Sequence, residues 1–173
     1  MQKVLVIVDM QNDFVDGALG TAEARAIVPA VTELVRSWDG PVLFTRDTHG
    51  EDYLATQEGR NLPVPHCIEG TDGWQLIPAL QPLAQGRPVI DKPTFGSVRL
   101  ADLLTRMHAD DPLESVTFAG VCTGICVISN AMLIKAALPE AELIVDSALC
   151  AGTTPANHEA ALTTMKSCQI QVK

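Results

Sequence analysis

Three residues far apart in the chain have side chains that could act together on a carbonyl group: Asp9, Lys92 and Cys126. Each stands just beyond a short apolar, β-branched run, over residues 4–8, 87–91 and 116–121. Such runs read as buried parallel strands. A thiol attacks only once it has lost its proton, and a neighbouring ammonium is one way to favour the thiolate. Lys92 would supply that charge. Asp9 would take the thiol proton and later hand it to a leaving amine, work that suits a carboxyl group whose pKa burial has raised. Cys126 would sit in the first turn of a helix, behind a turn formed by Gly120, Cys122, Thr123 and Gly124, where the helix macrodipole also favours the thiolate. Backbone N–H groups between Cys122 and Cys126 would face the oxygen of a tetrahedral intermediate. A cysteine on an apolar helix is more often a small core side chain, and an Asp–Lys pair is often structural. The arrival of all three groups at one sheet edge favours the nucleophile.

A second group lies in the segment over residues 46–73, which shows little periodicity: Asp47, His49 and His66, with Glu58 as a candidate fourth member. One carboxylate and two imidazoles leave positions open for substrate or water. They suit a divalent metal, Zn²⁺ first, with Fe²⁺ or Mn²⁺ as alternatives. Two of the four histidines fall in this one segment, whereas His108 and His158 fall in predicted helices and carry no assignment.

The elements that must position these groups alternate. Strands are expected over 4–8, 41–45, 87–91, 116–121, 142–146 and, at an edge, 168–172. Between them, helical spacing runs from Ala24 to Trp38, weakly over 74–84 (with Pro78 and Pro82), from the Ser97 cap to Met107, from Cys126 onward, and from the Thr154–Pro155 start to Ser167. Val127, Ile128, Ala131, Met132, Leu133 and Ile134 leave the fourth of these helices almost no polar face, so it should be buried. The pattern predicts a three-layer α/β/α fold with a six-stranded, mainly parallel, Rossmann-like sheet whose ligand site lies at the strands' carboxyl ends.

A chain of 173 residues, 47% hydrophobic and 19% charged, fits one domain over 1–173 with a substantial core. The net charge of −9 excludes a surface for nucleic acid or anionic membrane. No run reaches the length of a membrane span, and the opening Met1-Gln-Lys passes into a stretch too short for a signal sequence. Five cysteines, an odd number and without a paired framework, point to the cytoplasm.

The segments Val8-Asp9-Met-Gln-Asn-Asp-Phe14, Asp47-x-His49, Pro65-His66-Cys-x-x-Gly70-Thr-x-Gly73, Asp91-Lys92 and Gly120-Val-Cys-Thr-Gly-Ile-Cys126-Val resemble, in order, the motifs of the isochorismatase-like cysteine hydrolases, the nicotinamidase branch above all. The resemblance spans nearly the whole chain. It implies a triad of Asp9, Lys92 and Cys126, with a thioester on Cys126 after ammonia leaves, and a metal held by Asp47, His49 and His66 that binds the substrate's pyridine nitrogen. It also implies a cis peptide between Val121 and Cys122 that aims the N–H groups of Cys122 and Cys126 at the oxyanion. Phe14 would form an aromatic pocket wall beside Val121. Tyr53 would fill the space of the aromatic residue that nicotinamidases carry where Thr48 stands here. The implied enzyme is a homo-oligomer acting on a small amide such as nicotinamide. Isochorismatase-type or N-carbamoyl amide hydrolysis is the alternative within the superfamily. A redox or metal-binding protein using Cys122 and Cys126 is the alternative outside it, although Cys-x-x-x-Cys is a weaker redox signature than Cys-x-x-Cys.

Overall fold

The computed structural model describes residues 2–173. Its elements follow in the order β1 (Gln2–Val8), α1 (Asn12–Val15), α2 (Ala22–Ser37), β2 (Val42–Asp47), α3 (Gln57–Asn61), α4 (Gln81–Ala84), β3 (Val89–Lys92), α5 (Val98–Asp110), β4 (Leu113–Val121), α6 (Ile128–Ala137), β5 (Glu142–Ala151), α7 (Pro155–Ser167) and β6 (Gln171–Val172). All six strands are parallel, in the order β3-β2-β1-β4-β5-β6. Strand order reverses between β1 and β4, and that pair is the central one. Alternate residues of β1 feed opposite layers: Val4, Val6 and Val8 pack with α5, α6 and α7, while Leu5 and Ile7 pack with α2 and the segment around Leu76–Leu80. Burial on both faces explains why β1 is apolar from Val4 to Val8 and why only Thr117 interrupts the apolar run from Val116 to Val121 in β4. The fold is the expected three-layer α/β/α sandwich. No helix among the described residues is long and apolar enough to cross a membrane.

Helix ends match the sequence where a side chain decides them. Ser97 accepts a bond from the Leu100 N–H (3.1 Å) and opens α5. Thr154 accepts from Asn157 N–H (3.1 Å), with Pro155 in the first turn of α7.

Three expectations are corrected. β2 runs on through Arg46 to Asp47, because Asp47 pairs in register with Lys92 of β3 and its N–H donates to the Gln11 side chain (2.7 Å). Most of the weak helix over 74–84 is absent, and only Gln81–Ala84 is helical. Its first half uses its backbone elsewhere: Gln75 O accepts from Asn12 N–H and Ile77 N–H reaches Met10 O. The helix after Cys126 is not buried all round, since Met132 and Leu133 are each 37% exposed. That helix begins only at Ile128, and Cys126 belongs to a π-helical turn, Thr123–Val127, ahead of it.

Gly120 sets the depth of the site. At φ +126, a Cβ there would stand 2.2 Å from Val8 O, so only glycine lets the end of β4 lie this close to the end of β1. Asp9 and the Cys122–Cys126 turn are neighbours as a result.

Candidate active site

Asp9 leaves β1 in a left-handed conformation (φ 48), which aspartate tolerates better than most residues. Its Oδ1 accepts from Thr45 Oγ1 (2.6 Å) and its Oδ2 pairs with Lys92 Nζ (2.7 Å). Lys92, the last residue of β3, is fully buried yet satisfied. Besides Asp9, Asp47 Oδ1 (3.2 Å), Thr94 O (3.1 Å) and Cys126 Sγ (3.5 Å) lie within reach of its three N–H donors. The three residues expected at one sheet edge therefore meet there. The Val121–Cys122 peptide is cis, as the resemblance implied.

The charges are set by burial and by one another. Burial raises the Asp9 carboxyl above its ordinary value, against the pull of Lys92 and with help from Asp47. Burial alone would lower the Lys92 pKa, but Asp9, the Cys126 sulfur and Asp47 carry it above the ordinary lysine value. For Cys126 the balance runs against the helix-start argument for a favoured thiolate. Burial and the Asp9 carboxylate push the thiol well up, more than Lys92 brings it down, and the turn around it is not an α-helical N-terminus. Burial and Asp9 thus favour the protonated form of Cys126, and Lys92 the thiolate.

Asp47, His49, Glu58 and His66 form one cluster, their ligand atoms all within 4.8 Å of one another. His49 Nε2 lies 3.0 Å from Asp47 Oδ2 and 3.5 Å from Glu58 Oε1, and His66 Nε2 lies 3.6 and 3.7 Å from the same two oxygens. Ligands about 2.1 Å from a tetrahedral zinc ion stand roughly 3.4 Å apart, so the four side chains fit a divalent ion with little movement. Val64 O, 2.8 Å from His66 Nδ1, can only accept. This leaves Nε2 of a neutral His66 with its lone pair toward the cluster, the outer-shell arrangement typical of metal-bound histidines. Glu58 belongs to this set: its side chain is only 20% exposed, unlike an ordinary loop carboxylate. Its pKa is raised by burial and by Asp47, against the histidines. A cation would relieve that crowding of carboxylates.

Residues that the sequence reading quoted but did not assign hold this cluster in place. Gln11, completely buried, grips the Asp47 backbone at both its N–H (2.7 Å) and its carbonyl (2.8 Å). Asp13 Oδ2 accepts from Cys67 N–H (2.8 Å), next to His66. Asn12 Nδ2 donates to Asp72 O (2.8 Å). The Asp9–Phe14 stretch thus carries one catalytic candidate and also clamps the loop that bears the metal candidates. Asp47 belongs to both groups, with one oxygen toward Lys92 and the other toward the histidines, a link that spacing in sequence does not show.

A cavity of about 250 Å³ opens onto both groups, reaching Asp47, Glu58, His66, Cys122 and Cys126. Its remaining walls are mostly apolar, with Phe14, Leu19, Leu62, Phe95, Val121 and Ile125, and carry the hydroxyls of Thr21 and Thr153. Phe14 and Val121 stand where expected. Tyr53 does not line it: the buried ring packs behind the metal candidates, with centroids 4.7 Å from His49 and 5.0 Å from His66, and its hydroxyl donates to Leu62 O (2.9 Å). Thr48 accepts a bond from Trp74 Nε1 (2.8 Å) and is likewise no part of the wall.

Comparison with known proteins gives a consistent result. An isochorismatase domain family model matches residues 3–172. The chain is 33% identical over 145 residues to an uncharacterized isochorismatase family protein, PncA, of Bacillus subtilis (strain 168), covering 76% of this chain and 78% of that one. It superimposes on a pyrazinamidase of Pyrococcus horikoshii solved in complex with zinc, with a TM-score of 0.83 at 27% identity over 100% of this chain and 99% of that one. A pyrazinamidase/nicotinamidase from Streptococcus mutans UA159 gives a TM-score of 0.85 at 27% identity over 99% of both chains.

Proposed function

The chain belongs to the isochorismatase family, and within it we propose a cysteine amidohydrolase that converts a small uncharged carboxamide, nicotinamide or a close relative, to the acid and ammonia. The observation that carries this reading is the contact of one buried ammonium with both Asp9 (2.7 Å) and Cys126 Sγ (3.5 Å) at the floor of a cavity. The pyrazinamidase and nicotinamidase names of the structural neighbours support it.

The steps follow from the proton positions. Cys126 attacks the amide carbon as its proton passes to Asp9, and the oxyanion is met by the N–H groups of Cys122 and Cys126. Asp9 then protonates the departing nitrogen, ammonia leaves, and a thioester remains on Cys126. Water, deprotonated by Asp9, attacks the thioester carbon. The C–S bond breaks, the sulfur takes the proton back from Asp9, and the acid is released. Lys92 holds Asp9 in place and keeps positive charge beside the sulfur while the sulfur is an anion. Asp47, His49, Glu58 and His66 would hold a divalent ion, which when bound supplies a Lewis acid for a ring nitrogen or a water.

The pocket favours a neutral substrate over the alternatives within the superfamily. Its charged lining residues are Asp47 and Glu58, and no arginine or lysine lines it. Isochorismate, a dicarboxylate, or an N-carbamoyl amino acid would find no arginine or lysine in that wall to receive its carboxylates. The volume of about 250 Å³, just below the usual range of drug-sized sites, suits a single ring. Five free thiols suit a reducing compartment and support a cytoplasmic location.

The test is ammonia release from a panel of nicotinamide, pyrazinamide, benzamide and N-carbamoylsarcosine, with pyruvate release from isochorismate and intact-mass detection of an acyl adduct on Cys126. Turnover of the aromatic amides together with that adduct supports the reading. A reversible Cys122–Cys126 disulfide with no ammonia from any amide overturns it in favour of a redox protein.

A further inference from the structure

We infer that Asn130 is a positioning residue that fixes the nucleophile's turn against the pocket wall bearing Phe95. Asn130 lies on α6, one helical turn after Cys126, and is completely buried. Its amide is fully used. Nδ2 donates to Cys126 O (2.8 Å) and to Phe95 O (3.2 Å), and Oδ1 accepts from Ser97 N–H (2.9 Å). Two carbonyls on one side and an N–H on the other permit only one orientation of the group.

The segment it holds is the connection between β3 and α5, which is tied at its other side to the chemistry. Lys92 Nζ donates to Thr94 O (3.1 Å) as well as facing Sγ (3.5 Å). Phe95, one residue on, lines the cavity while 41% exposed. Asn130 and Lys92 therefore grip one short loop from two directions. Release of the Asn130 grip would let that loop move relative to the sulfur, altering both the Lys92–Sγ approach and the width of the cavity. The turn between Cys122 and Val127 is closed by π-type bonding, with Val127 N–H reaching Cys122 O (3.1 Å). That geometry is less regular than an α-helix, and a side-chain tie to the Cys126 carbonyl gives it a fixed reference.

Two substitutions separate the two grips. Asn130→Ala removes both. Asn130→Thr keeps a hydroxyl able to bond back to the carbonyl four residues earlier but too short to reach residues 95 and 97. With nicotinamide as substrate, kcat should fall about tenfold in the alanine variant, the scale expected for slight misplacement of a reacting group. The threonine variant should recover most of kcat while KM stays raised severalfold. A second readout, independent of turnover, is carbamidomethylation of Cys126 by iodoacetamide followed by mass spectrometry, with Cys168 in the same molecule as internal reference. Its rate should drop in the alanine variant and return in the threonine variant. Wild-type kcat, KM and alkylation rate in both variants, with only a lowered melting temperature, would show Asn130 to be structural alone and overturn the inference. The turnover arm rests on the amidase reading. If the wild-type chain releases no ammonia, that reading fails by itself and the alkylation arm decides the role of Asn130.

Discussion

The two halves of the site are built by different means. The Asp9, Lys92 and Cys126 half stands on the ends of β1 and the edge strand β3 and on the turn directly after β4. The metal half has only Asp47 on a strand; His49, Glu58 and His66 ride on the long connection after β2, which stays in place through Gln11, Asn12 and Asp13 reaching across from the β1 connection. The nucleophile is thus positioned by strand ends, and the metal cluster by a loop that backbone bonds, such as His49 N–H to Cys67 O (3.0 Å), and these side-chain bonds hold in place. Asp47 is the hinge between the two, one carboxylate serving both. The sheet half should resist changes to the loop, and the loop half should fail without bringing down the sheet.

The largest effect tests the sheet half alone. Cys126→Ala should lower kcat by at least about 10⁴-fold, the order seen when a covalent nucleophile is removed, while circular dichroism and melting temperature stay near wild type. Ammonia production at more than a few per cent of wild type would place the nucleophile elsewhere. Next comes the loop half: a chelator, or His66→Ala, should cut kcat/KM by roughly 10–100-fold through loss of the ion, with a smaller change in melting temperature. Recovery on adding Zn²⁺, Fe²⁺ or Mn²⁺ after chelation would identify the ion. If neither treatment changes activity, the cluster has no part in the reaction.

The same contrast governs what the sequence could reveal. Asp9, Lys92 and Cys126 were legible because each follows an apolar run, and buried parallel strands must end at one edge. The parallel α/β/α order was legible for the same reason. The extension of β2 to Asp47 was not, because Arg46 and Asp47 look like loop residues until Asp91, Lys92 and Gln11 are seen to satisfy them. The loss of helix over residues 74–80 was hidden likewise, since its backbone partners, Met10 and Asn12, lie more than sixty positions away. Tyr53 was misplaced because spacing says which residues share a loop but not which of them faces the cavity. The raised thiol pKa of Cys126 was missed because a dipole argument assumes an exposed α-helical N-terminus. Burial and the neighbouring Asp9 act in the opposite direction.

The clamp offers a finer cut between the halves. Asp13→Asn removes the anionic acceptor of Cys67 N–H without altering bulk. A charge-assisted bond of this kind contributes about 1.5–3 kcal/mol, and loss of such outer-shell support typically costs 10-fold or more in metal affinity. Zinc binding measured by competition with a chromogenic chelator should weaken by about that factor, while alkylation of Cys126 by iodoacetamide keeps its wild-type rate. Equal slowing of both would mean that the two halves are mechanically one.

The smallest effect concerns the resting state of the thiol. An ordinary cysteine titrates near 8.5, so its alkylation rate levels off as pH passes that value. Cys126 has its pKa raised by burial and by Asp9, and Lys92 compensates only in part. Its thiolate fraction is therefore small at pH 7 and grows about tenfold with each pH unit up to the raised pKa, so its alkylation rate should still be climbing at pH 9. Levelling between pH 6 and 7 would show instead that Lys92 outweighs burial and that the thiolate stands preformed. The proton would then no longer need to reach Asp9 during attack, leaving that carboxylate its part with the leaving amine and the attacking water. The pH profile of one alkylation reaction thus decides whether the sheet half delivers a charged nucleophile or makes one only when substrate arrives.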